Sequence, residues 1–105
     1  MKTAKQHVDV MEARIEHYFM PHIKARYQIQ IVNDKFDNSF NFFFLYKKGA
    51  ENTHSIPIRV IKDHDWIYFE QIVRELHHRV NFTLRFTGFQ GEIWQSNGCN
   101  IPHYM

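Results

Sequence analysis

The spacing of apolar residues changes period three times along this chain, and each change limits the kind of element that can form there. Val8, Met11, Ile15, Tyr18 and Phe19 recur every three or four positions, as on one face of a helix. Thr3 and Gln6 before them have the form of a capping box. Together they predict a helix over residues 4–20, ended by Pro21, which has no N–H to give and clashes with the preceding turn. The period then falls to two. Tyr27, Ile29 and Ile31 alternate with Arg26, Gln28 and Gln30, which predicts a strand with one dry face. A polar stretch from Asn33 to Asn38 turns the chain into a second strand over 39–47. There Phe40, Phe42, Phe44 and Tyr46 share one face while Phe43 and Leu45 sit on the other, so a central position is expected. A third strand over 55–61 turns Ile56, Ile58 and Val60 inward, with Pro57 favouring an edge or a bulge.

The helical period returns with Phe69, Ile72, Val73 and Leu76, predicting a second helix over 66–78. Asp63 or Asp65 can cap its start, and Arg74, His77, His78 and Arg79 suit the negative end of its dipole. Val80, Phe82, Leu84 and Phe86 alternate in a fourth strand. A glycine-containing reversal, FTGFQGE, leads to a short fifth strand near EIWQ, and the last residues read as irregular. The expected fold is a single α+β domain over 1–105 in the order α-β-β-β-α-β-β. Its four- or five-stranded sheet is mostly antiparallel, with both helices on one face.

A hydrophobic fraction of 44% is enough for one modest core without staples. Ten Phe, five Tyr and two Trp in 105 residues are more ring than such a core can hide, so uncovered aromatics and a homodimer or protein partner are expected. Thirteen Lys and Arg against eleven Asp and Glu leave a net charge of +2, short of the strongly basic balance of a dedicated nucleic-acid binder. The single Cys99 excludes an internal disulfide and fits a reducing compartment. No apolar signal core opens the sequence and no run approaches 18 apolar residues, so the expectation is a cytoplasmic protein without a membrane role. Its size and simplicity fit a small bacterial, phage or mobile-element protein.

Catalytic signals are sparse. Cys99, with His103 four residues later, matches no nucleophile motif, and the eight His lack the paired spacing of a zinc site, so neither cofactor nor metal is expected. Asp63, His64 and Asp65 at a helix start, with Glu92 and Cys99, are the residues around which a small hydrolase-like site is conceivable. Helix capping explains the two aspartates more simply.

A binding reading emerges once the strands are phased. With the apolar rows against the helices, the opposite sheet face carries Arg26, Gln28, Gln30, Asn41, Phe43, Leu45, Arg59 and Arg85, with Lys47, Asn81 and Thr83 beside them and no carboxylate. Phe43 and Leu45 are the expected seam for a second copy or a protein partner. Arg26, Arg59 and Arg85 are the alternative, a nucleic-acid or other anion site.

The order helix, three antiparallel strands, helix over residues 3–79 resembles the double-stranded-RNA-binding domain. That family places a lysine-rich stretch at the start of its second helix, where this chain has Lys62, Asp63, His64, Asp65 and Trp66, and none of its RNA-binding residues is carried over. With two further strands the order is also similar to that of dimeric type III secretion chaperones.

Overall fold

The computed structural model describes residues 2–19, 25–62 and 64–105. Its elements are α1 (Ala4–Tyr18), β1 (Ala25–Asp34), β2 (Ser39–Lys48), β3 (His54–Ile61), α2 (Trp66–Arg79) and β4 (Thr83–Thr87). The capping box forms at the start of α1, with the Gln6 N–H donating to Thr3 Oγ1 and the Thr3 N–H to Gln6 Oε1. Asp65, rather than Asp63, caps α2 by accepting from the N–H groups of Ile67 and Tyr68. Pro21 and Asp63 lie outside the described residues.

The four strands form one sheet in the order β3-β2-β1-β4. β1 and β2 pair antiparallel along their full length, and β2 pairs antiparallel with β3, placing the Phe-rich strand inside the sheet as expected. β4 runs parallel to β1, so the sheet is mixed. This follows from connectivity, because α2 carries the chain from β3 at one edge to β4 at the other, beside β1. Val8, Met11 and Ile15 of α1 and Phe69, Ile72, Val73 and Leu76 of α2 join Ile29, Ile31, Phe40, Phe42, Phe44 and Leu84 in one core on a single face of the sheet. Gly88 closes the β1–β4 end in a left-handed conformation, where a Cβ would meet the Asn33 carbonyl oxygen at 2.9 Å.

Three expectations change. Arg59 does not join the outer face. The β2–β3 register slips between Phe42 and Phe43, so Phe42 is opposite Arg59 and Phe43 is opposite Pro57. The extra residue reverses the alternation: Arg59 and Ile61 face the helices, and Val60, expected inward, is 44% exposed. Next, EIWQ forms no strand. Ile93 and Asn100 make an isolated bridge, and it is the segment expected to be irregular that pairs with the sheet. Leu84 and Met105 exchange two backbone hydrogen bonds and the Phe86 N–H donates to the His103 carbonyl, laying residues 103–105 along the free edge of β4. Finally, Phe82 precedes β4 and is half-buried, with its ring against Phe19, Tyr27 and Phe44.

Candidate functional site

Neither edge of the sheet presents an unbroken row of free backbone groups. Residues 103–105 lie along β4. β3 is interrupted by Pro57, which has no N–H, and by the bulge, and Arg14 of α1 donates to the Ile58 carbonyl at 2.7 Å. The helices cover one face. On the other, Arg26, Lys47, Thr83, Arg85 and Thr87 are exposed, and no described helix lies over them.

Cross-strand pairing fixes the layout of this open face. The middle of the β1–β2 ladder is the Gln30–Phe43 pair; Gln28 and Leu45 come next, and Arg26 and Lys47 lie opposite each other near the end. Arg85 of β4 pairs with Gln30, and Tyr104 bridges to Arg85 from the far side. Arg26, Lys47 and Arg85 together line a depression of about 150 Å³, completed by Gln28, Leu45, Tyr46 and Thr53. None of the three cations has a carboxylate partner among the described residues; the ion pairs of those residues belong to Lys62, Arg74 and Arg79. One acid does share the face, against expectation: Asp34, at the other end of β1. Its carboxylate is engaged by the N–H groups of Phe36 and Asp37 in the hairpin turn.

Leu45, an expected seam residue, is already 8% exposed among these long side chains, so a partner would gain little by covering it. Phe43 and Asn41 are half-buried, and Asn41 donates to Ser39 Oγ.

Arg59 has a different role. Its Nε donates to Nδ1 of the buried His7 at 2.9 Å, joining β3 to α1. Burial pushes the His7 pKa down, and the charges of Arg59 and Lys2 push it the same way, which keeps the accepting Nδ1 unprotonated. The sequence offered one usable signal for this: Pro57 marks where the phase of β3 can slip.

Of the hydrolase-like candidates, Asp63 lies outside the described residues, and the structure gives His64 and Asp65 other partners. His64 Nε2 is hydrogen-bonded to Asn33 Oδ1 at 3.0 Å and its ring stacks on Phe40, while Asp65 is used as the α2 cap. No side-chain hydrogen bond among the described residues joins Glu92 or the exposed Cys99 to either. No three His, Cys, Asp or Glu among the described residues are grouped to hold a metal ion. No described helix is long and apolar enough to cross a membrane.

Compared with models of known families, with curated proteins and with solved structures, the chain matches none of them.

Proposed function

We propose that this chain is a non-catalytic binding module that takes an anionic partner on the open face of its sheet, at Arg26, Lys47 and Arg85. The observation that carries this reading is that three cationic residues without carboxylate partners among the described residues line one depression. Surface cations ordinarily sit among acids, and like charges directly across two strands oppose each other, so this arrangement is stabilised by a ligand that neutralises it. At about 150 Å³ the depression is well below the several hundred Å³ of a typical small-molecule pocket. It suits one charged group of a larger partner.

A second copy of the chain fits this surface less well. Face-to-face stacking with like ends together would set cations against cations. With opposite ends together they would meet Asp34 and Asp37, whose neighbours include Lys35 and Lys62.

Retention on a heparin column tests the proposal. The protein is expected to bind at low salt, and the variant R26A/K47A/R85A to elute at clearly lower salt, while Arg59→Ala elutes with the wild type. Co-elution of the triple variant with the wild type would reject the site. Light scattering that gives a dimer dissociated by Phe43→Asp would assign the face to a second copy instead.

A further inference from the structure

Three depressions on this side of the molecule share their walls. One of about 510 Å³ lies against Arg26, Lys47 and Gly49. The central one contains Arg26, Lys47 and Arg85. A groove of about 630 Å³ where the chain leaves β4 is lined by residues 85–91 and 100–104, Arg85, His103 and Tyr104 among them. Arg26 and Lys47 thus border the first two and Arg85 the last two, so cations stand at both junctions of a track that crosses the end of the β1–β2 ladder and leaves over the edge of β4. A compact anion needs one such site; a series of them fits an extended polyanion.

The last groove adds an aromatic ring. Tyr104 is 58% exposed, bridges to Arg85, and is held by the backbone bonds of its neighbours His103 and Met105 to β4. An exposed ring fixed beside a cation costs little entropy to use and offers a face to another flat group. An acidic peptide has no use for that ring, and a duplex keeps its bases stacked inside. A single strand presents phosphates and splayed bases together.

Building on the anion-binding reading above, we propose that the partner is a single-stranded nucleic acid. Its phosphates meet Arg26, Lys47 and Arg85, and one base stacks on Tyr104 in the groove beside β4.

The test is fluorescence anisotropy with a labelled oligothymidylate about ten nucleotides long, with a duplex and a polyglutamate of similar charge as competitors. Three phosphate contacts at about 0.7 counterions each predict a slope of log affinity against log salt near −2. R26A/K47A/R85A should bind at least about tenfold more weakly with a flatter slope. Tyr104→Ala should also bind about tenfold more weakly but with the slope unchanged, and Tyr104→Phe should bind as the wild type does. Cooperative thermal melting at or above the wild-type temperature will show that each variant is folded. If Tyr104→Ala binds like the wild type while the triple variant does not, the nucleic-acid inference falls and the anion-binding face survives. Equally tight competition by polyglutamate or by duplex also overturns the inference. Full binding by the triple variant overturns both.

Discussion

Arg26 and Lys47 are direct cross-strand partners on the face of the sheet that no described helix covers. Two cations in that position repel, a cost of a few tenths of a kcal/mol to about 1 kcal/mol. Lys47→Glu turns the repulsive pair into an attractive one. It is expected to raise the unfolding free energy by about 0.2–1 kcal/mol in urea titration and, at the same time, to weaken heparin retention. Stability and binding moving in opposite directions is the signature of a cationic pair kept for a ligand. A variant that is less stable than the wild type would show that the two side chains do not repel as they stand.

Arg59 and His7 supply a prediction in pH. The His7 pKa is lowered from its ordinary 6.5, so between that value and its folded value the unfolded chain holds a proton that the folded chain does not. Stability from this group is therefore fully present above about pH 6.5 and lost as pH falls below it. His7→Gln keeps a side-chain oxygen able to accept from Arg59 but cannot titrate. Urea midpoints measured between about pH 7.5 and about pH 5.5 should fall less steeply in that variant than in the wild type. Parallel curves would remove His7 from the acid sensitivity.

Arg59 marks where the sequence stopped being legible. Apolar period was enough for both helices, the three-strand meander and the buried Phe row of β2, because each pattern is local and repeats several times. The phase of β3 was not, although Pro57 pointed to an edge or a bulge and β3 has both. A bulge shifts every later side chain to the other face, and nothing in IPIRVI says on which side of Pro57 the extra residue falls. Arg59 thus left the candidate site, while Arg26 and Arg85, in strands of unbroken register, stayed on one face. Lys47, given only a flanking place beforehand, becomes central because it is opposite Arg26. The pairing of residues 103–105 with β4 was also illegible, since NIPHYM has no alternation and its partner strand is distant in sequence.

Core substitutions separate the deep ring from the half-covered one. Phe42 is fully buried and packs near Phe69, so Phe42→Ala should cost about 3–5 kcal/mol and bring a domain of this size close to unfolding. Phe82 retains solvent contact, and Phe82→Ala should cost roughly half as much. Chemical denaturation of both variants checks the order; a larger loss for Phe82→Ala would contradict this packing.

Glu70 moors the segment that carries Cys99. It is buried on α2, where it accepts from Arg74 Nε at 2.9 Å and from the Ser96 N–H at 3.1 Å. Burial alone would push its pKa up, but the hydrogen bonds from Ser96 and the charge and hydrogen bond of Arg74 outweigh that and hold it below the ordinary carboxylate value. Its stabilisation is therefore present above the ordinary carboxylate pKa and lost as pH falls toward its lower folded value. Glu70→Ala removes the acceptor and should cost about 1.5–3 kcal/mol at neutral pH. The loop also has bonds of its own, from the Trp94 N–H to the Cys99 carbonyl and from the Gly98 N–H to the Trp94 carbonyl, and these do not involve Glu70. Hydrogen exchange distinguishes the two sets: the Ser96 amide should exchange much faster in Glu70→Ala, while the Trp94 amide keeps most of its protection. If both amides open together, the loop has no closure independent of α2; if neither changes, Glu70 does not tether it.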